Sequence, residues 1–490
     1  MKNENEAGER SNSLTVISAH PETRFVSSRM IVSWGEESVY SNEELIPRQR
    51  FPGELNPSLP DWSEYPIPDS VGEYGSREEF LRAPKFPAQW VHFNNRAKLV
   101  VEGRYFDIAP LHFEGIFTLV CNFRCPHCSR RETRINWVKG GTWDNNTPLS
   151  SGNTMTLEAM HHTLDNIASM RTDDYIGVVW GGGDPTANPY VYDAMLRAKS
   201  CGIKSSFITN GVFMEPDELL IIEPVLVRVS LNCGTEETYR KFHGYPKGWD
   251  YFDRVLVNMR EYAQKKSMAK SKTLFGVSLI VDERNLDDVV AAADVIKEIA
   301  EKTGPGGIDY VIARPVMNYW HFEARYACVQ MDTKSKGLSI MEGPVRHRLD
   351  SVGVPLVVIK DSFEQSPPPE YYDNMDSDCL SYGWASEVRH NGDIQLCSDS
   401  YGNPEYTIGN VFAQSLAEIW KSNRRKEVLR RINELNCWRY RCPFNGRGHH
   451  LNRTFHQVEQ MRREGRLDEV VEWIAKLREV TFPLKHSFFL

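Results

Sequence analysis

Three thiols on one short segment, Cys121-Asn-Phe-Arg-Cys125-Pro-His-Cys128, carry the most chemistry in this sequence. The spacing C-x3-C-x2-C suits an iron–sulfur cluster better than tetrahedral zinc. Three thiolates leave one iron of a 4Fe-4S cluster without a protein ligand and able to take a chelating substrate, whereas structural zinc wants four protein ligands, commonly from two separated pairs. A second set lies near the other end, Cys379-x12-Gly392-x4-Cys397 followed by Cys437-x4-Cys442. Four thiolates suit either a closed cluster or a zinc ribbon, and these spacings do not choose between them. Seven of the ten cysteines fall in the two sets, so Cys201, Cys233 and Cys328 read as small buried side chains and no disulfide framework is expected.

Regular elements must hold these groups. Residues 113–120 form an apolar, β-rich run ending at Cys121, as expected of a buried strand feeding a loop. Leu157, Met160, Leu164, Ile167 and Met170 then recur at helical spacing behind Thr156, a candidate N-cap. A second strand, 175–180, runs into Gly181-Gly182-Gly183-Asp184, where consecutive glycines let the main chain approach a ligand. Asn188 and Pro189 read as the start of the next helix and Gly202 as its end. Strands at 204–211, 225–232, 274–281 and 308–315 follow, with a helix at 287–300; Asn210, Ser230 and Asn232 stand at strand ends. Six strand–helix repeats with polar groups at the strand ends predict an open α/β barrel whose site lies at the carboxyl-end mouth.

The cysteine spacing, with His127 before the last thiol, resembles the radical S-adenosylmethionine (SAM) superfamily, and the glycine turn resembles that family's "GGE" turn with Asp184 in place of Glu. The resemblance implies a partial (β/α)6 barrel in which Cys121, Cys125 and Cys128 hold a 4Fe-4S cluster whose open iron is chelated by SAM. It also implies SAM contacts from the backbone around His127 and from Gly181, Gly182, Gly183 and Asp184, with Asn210, Ser230 and Asn232 as further polar contacts. The second cysteine set, with Ile408-Gly-Asn410 and Leu416-Ala-Glu-Ile-Trp420 between its halves, resembles the SPASM and shorter "twitch" extensions. A full SPASM domain has about seven cysteines for two clusters. Cys379, Cys397, Cys437 and Cys442 therefore imply one auxiliary 4Fe-4S cluster with no open iron.

The remaining sequence sets boundaries. We expect an irregular, proline-rich extension over 1–108, the core over 109–330, a linker over 331–376, the auxiliary domain over 377–450, and closing helices over 451–490. A net charge of −8 argues against nucleic acid as a general partner. Arg424, Arg425, Lys426, Arg430 and Arg431 form a basic helical run that reads as a solvated face. Residues 1–10 lack an apolar signal core and no stretch approaches a membrane span of roughly 18 apolar residues, so a cytoplasmic enzyme with no membrane partner is expected.

The resemblance implies reductive cleavage of SAM to a 5′-deoxyadenosyl radical that abstracts a substrate hydrogen, with a flavodoxin- or ferredoxin-type reductant. A closed auxiliary cluster favours net oxidation, of a sugar-like or aminocyclitol alcohol or of a peptide, and the lack of a compact helix-rich leader-recognition pattern in the first hundred residues inclines the expectation to a small molecule. Three alternatives stand beside it: a peptide-modifying maturase, a redox-neutral epimerase or lyase, and an iron–sulfur or zinc protein without activity. No general base or hydrogen donor is legible.

Overall fold

The computed structural model describes residues 90–128, 153–172, 175–316, 331–359, 363, 378–398, 403–434, 437 and 447–480. Calls on the proline-rich start, Cys328 and Cys442 lie outside them. The described residues fall within one compact unit, Leu45–Leu490.

Among the described residues, ten strands join in one sheet of order β10-β9-β8-β1-β2-β3-β4-β5-β6-β7. The strands are β1 (His112–Ile116), β2 (Gly177–Trp180), β3 (Lys204–Thr209), β4 (Leu226–Ser230), β5 (Leu274–Val281), β6 (Tyr310–Pro315), β7 (Leu356–Val358), β8 (Ala385–Arg389), β9 (Asp393–Gln395) and β10 (Thr407–Asn410). Neighbours from β1 to β7 all pair in parallel, so their carboxyl ends share one side. This is the expected mixed α/β core, with its strand order unbroken.

Alternation along each strand separates two faces. Register puts Phe113 beside Val178, Phe207 beside Val227, and Val277 beside Val311. All six are fully buried. The other face carries Glu114, Ile208, Arg228, Ser230, Ile280 and Arg314, each half-buried. Ile208 lies beside Arg228, Ser230 beside Ser278, and Ile280 beside Arg314. The apolar face suits a helix layer, and the mixed, partly open face is the barrel interior.

The helices follow their sequence pattern. Leu157–Ser169 buries Met160, Thr163, Leu164 and Ile167, positions spaced along one face, and the Thr156 hydroxyl accepts from Ala159 N at 3.3 Å. Gly202 ends Val191–Ser200 with φ +73°, as the sequence suggests. Asn188 stands three residues before that helix, and its Oδ1 accepts from Tyr190 N at 3.0 Å as a cap does. Its side chain is 1% exposed and donates to Phe117 O and Met155 O, tying two loops together. The first strand also stops at Ile116, short of the cysteines. Residues 117–120 leave the sheet because their main chain bonds sideways, Leu119 N to Asn153 O and Met155 N to Phe117 O.

Two boundary expectations meet a different arrangement. The stretch read as a linker contains the helix Met331–Ile340, a π turn over Met341–Val345, and β7, which pairs with β6 and extends the parallel sheet. The stretch read as an irregular extension contains the helix Asn94–Val101, which buries Ala97, Val100 and Val101. The helices Arg447–Arg463 and Leu467–Val480 close over this segment. Phe455 sits at the junction, its ring centroid 5.5 Å from Trp90, 5.6 Å from Tyr105 and 5.6 Å from Trp384. Burying one such ring contributes about 2–3 kcal/mol.

Candidate active site at the carboxyl ends of the strands

The segment after β1 brings the three thiols to the barrel mouth. Cys121 is buried and Cys125 and Cys128 are half-buried. Phe123 N donates to Cys121 Sγ at 3.4 Å, and Asn210 Nδ2 lies 3.9 Å from the same sulfur. His243 Nδ1 lies 3.2 Å from Cys125 Sγ. Amide and ring nitrogens turned on these sulfurs fit thiolate ligands, which accept hydrogen bonds better than neutral thiols. Among the described residues, no three His, Cys, Asp or Glu side chains converge as the ligands of a single ion would; cluster cysteines serve separate irons.

The glycine turn packs on this segment. A Cβ on Gly182, whose φ is +111°, would stand 2.3 Å from Thr118 O, and one on Gly183 would stand 2.0 Å from Val120 O. Gly183 N and Asp184 N donate to those same carbonyls, at 2.9 and 2.8 Å. Gly182 and Gly183 are therefore required by contact with the cysteine segment. At Gly181, by contrast, a Cβ would meet no protein atom within 4 Å.

Asp184 is 3% exposed, and its carboxylate is fully engaged by protein. One oxygen accepts from Thr186 N at 3.0 Å and from the Thr186 hydroxyl; the other accepts from Asn210 N at 2.7 Å, and Thr209 Oγ1 reaches both at 3.0 to 3.1 Å. Burial raises its pKa, and the four donors pull the other way. The side chain thus braces the ends of β2 and β3.

Two further expected SAM contacts are turned to the protein. Asn210 Nδ2 donates to Asn122 Oδ1 at 2.7 Å, and its Oδ1 accepts from Val212 N, which fixes the cysteine loop against the end of β3. Asn232, 1% exposed and at φ +62°, accepts from Ile280 N at 2.8 Å through Oδ1. Asn285 Nδ2 holds that left-handed turn from Asn232 O and Ile280 O, at 2.8 and 2.7 Å. Ser230 sits half-buried on the interior face with no partner among the described residues. The His127 ring lies 4.2 Å from that of Phe242, and its Nδ1 is 3.1 Å from Arg284 Nη2. Arg284 also pairs with Asp282 just beyond β5.

His243 and Arg284 were not singled out from the sequence. Burial among Phe123, Tyr239 and Phe242 depresses the His243 pKa to about 3. Its signal was the run Lys241-Phe-His243-Gly244, where a helix ends on a glycine at φ +67° whose Cβ would meet Arg124 O at 2.7 Å. Such closeness to the cysteine loop has no local trace in sequence.

The second cysteine set flanks a hairpin. Cys379 precedes β8, Cys397 follows β9, and Gly392 makes the turn between them at φ +84°. Cys379 N donates to Asn433 Oδ1 at 3.0 Å, and the Tyr406 hydroxyl lies 2.8 Å from Cys437 Sγ. Burial raises the Cys379 pKa. Asn410 of the Ile408-Gly-Asn410 connection reaches Asn391 O and Asp393 Oδ1, both at 2.9 Å. Ser415 and Glu418 form a reciprocal capping box at the helix Leu416–Lys421.

The basic run is not wholly a solvated face. Arg425 is fully buried, with its guanidinium 3.8 Å from the Trp420 ring centroid and donating to Phe106 O and Trp420 O. Arg424, Arg430 and Arg431 pair with Glu427, Glu434 and Glu405. Cys233 is buried as expected, while Cys201 is half-buried with its thiol 3.5 Å from Asp165. No described helix is long and apolar enough to cross a membrane.

Comparison with known proteins agrees with this geometry. Residues 116–296 match the family model of the radical SAM superfamily, and residues 379–443 match that of the SPASM iron–sulfur cluster-binding domain. The chain is a radical SAM enzyme with a C-terminal SPASM domain, which implies 4Fe-4S clusters and SAM. It is 21% identical over 347 residues to an AdoMet-dependent heme synthase of Methanosarcina barkeri, covering 66% of this chain and 85% of that protein. It is 23% identical over 129 residues to an S-adenosylmethionine-dependent nucleotide dehydratase of a Thermoplasmatales archaeon, covering 26% of this chain and 38% of that protein. Among solved structures, Streptococcus suis SuiB bound to the precursor peptide SuiA aligns with a TM-score of 0.46 at 14% identity, covering 69% of this chain and 71% of that one.

Proposed function

We propose that this enzyme oxidises a polar small molecule by removing a hydrogen atom and then a second electron, with a proton released to solvent. Cys121, Cys125 and Cys128 hold the reducing cluster, and Gly181, the backbone at His127, and Ser230 face SAM. When bound, the reduced cluster supplies one electron to SAM, which yields methionine and a 5′-deoxyadenosyl radical that takes a hydrogen atom from the substrate. Asp184 and Asn210 keep the glycine turn and the cysteine loop in register during this step. Cys379, Cys397, Cys437 and Cys442 hold one closed auxiliary cluster as acceptor of the second electron.

The observation that carries this reading is the interior face of the sheet. Glu114, Arg228, Ser230, Ser278 and Arg314 share it, with Ser230 and Arg314 at the carboxyl ends of β4 and β6 and the other three deeper along their strands. Charged and hydroxyl groups at that depth suit a compact polar substrate that can be surrounded. The two curated relatives are named for work on heme and on nucleotides, which are small molecules. The test is anaerobic incubation of the reconstituted enzyme with dithionite, SAM and candidate polyols, aminocyclitols and nucleotides. One 5′-deoxyadenosine per product two hydrogens lighter is expected, with a total of about eight irons per chain. Product isomeric with its substrate would defeat the oxidative reading.

A further inference from the structure

His243 closes the helix Glu236–His243 and is 2% exposed. Its Nδ1 stands 3.2 Å from Cys125 Sγ; its Nε2 stands 3.5 Å from Asn232 Nδ2 and 3.4 Å from Leu231 O. The Asn232 amide has its orientation set, because Ile280 N donates to Oδ1 and leaves Nδ2 toward the ring. The imidazole therefore meets one donor and one acceptor at Nε2, and a sulfur at Nδ1. Each tautomer has its own partners. A thiol at Cys125 can donate to Nδ1 while Nε2–H donates to Leu231 O. A metal-bound thiolate has no proton to give, so the ring proton moves to Nδ1 and Nε2 accepts from Asn232.

We propose that His243 is a positioning residue for the reducing cluster: its Nδ1–H donates a hydrogen bond to the Cys125 thiolate, with Asn232 holding the tautomer, and this bond raises the cluster's reduction potential. Reduction adds negative charge that spreads onto the ligating sulfurs, and an N–H at one sulfur stabilises the more charged state. The enclosure by Phe123, Tyr239 and Phe242 excludes competing water and fixes the ring plane. The inference rests on the reading that Cys121, Cys125 and Cys128 ligate that cluster, and it explains the side chain of Asn232, which otherwise faces no ligand.

The test follows the midpoint potential of reconstituted full-length enzyme by a dithionite titration read by electron paramagnetic resonance. The signal to track is the one lost when Cys121, Cys125 and Cys128 are replaced together by Ala. His243→Phe keeps a flat ring in the aromatic enclosure and removes the donor. At a fixed potential it should lower the reduced-to-oxidised ratio about tenfold, equivalent to about 59 mV for one electron. His243→Asn, which restores an N–H close to the Nδ1 position, should recover most of the shift. An unchanged potential in His243→Phe at full iron content overturns the inference and leaves the cluster assignment standing. Retention of all iron in the triple cysteine variant overturns both. If His243→Phe fails to load iron, electron–nuclear double resonance of the native reduced cluster decides: an exchangeable, strongly coupled proton is expected, and its absence in the H2O/D2O comparison overturns the inference.

Discussion

The carboxylate of Asp184 accepts the main-chain N–H of Asn210 at 2.7 Å, so the glycine turn after β2 is tied to the end of β3 by a side chain and not by the sheet. Asp184→Asn turns an NH2 group toward one of these donors. We expect a loss of about 1–3 kcal/mol in stability, the cost of a buried donor left without an acceptor. Asp184→Glu, the residue usual at this place in the family, adds a methylene in a closed site and should cost about 1–3 kcal/mol as well. Urea melts of both variants, with SAM affinity by calorimetry, check this. A Glu variant as stable as the parent contradicts the brace.

Arg425 gives a second prediction. Burial lowers its pKa to about 10, which leaves it charged at neutral pH, held by two carbonyls and the faces of Phe106 and Trp420. Arg425→Ala leaves those carbonyls unpaired and opens a void, and about 3 kcal/mol of stability should be lost. Arg425→Lys keeps the charge but not the planar fork, and recovers little. Arg431→Ala, in an exposed pair with Glu405, should stay within about 0.5 kcal/mol. Equal effects at both positions would contradict the buried role.

The pH dependence of folding follows in part from His92 and His390, in the same direction as from His243. Burial, helped by the charge of Arg478, lowers the His92 pKa to about 4; burial and Arg389 lower that of His390 to about 4. A histidine depressed in the folded state is protonated first in the unfolded chain. Its contribution is complete above pH 6.5 and is lost as pH falls from 6.5 through 4. For His92, 5% exposed, the loss reaches at most about 3 kcal/mol; the half-buried His390 should contribute less. Denaturant midpoints at pH 7.5, 6 and 5 should fall in that order, with a shallower slope in His92→Gln. A flat profile excludes it.

Local conformation at the cysteine loop, the glycine turn and the strand ends is legible in the sequence, because period-2 and period-3.6 patterns and glycine runs record it. What side chains do at those places was less legible. Asp184, Asn210 and Asn232 have the residue types and strand-end places of ligand contacts, and each hydrogen-bonds to protein groups, among them Thr186, Asn122 and Ile280. The polar residue at a strand end is the same in both cases; its partner is set by tertiary approach. Arg425 lay hidden in a basic run because composition does not distinguish the one residue of a helix that faces inward. Pairing between residues as far apart as Glu114 and Glu387 likewise has no local signature.

That last pairing bears on how the protein can be dissected. β8 lies parallel to β1 from His112 opposite Ala385 to Ile116 opposite Arg389, covering the whole strand that leads to Cys121. A chain cut before residue 377 would bare β1 as an unprotected edge, with a row of main-chain donors and acceptors open to other chains. The SPASM hairpin is thus a structural wall of the SAM-cleaving half, and a truncated core would tend to self-associate before its chemistry could be assayed.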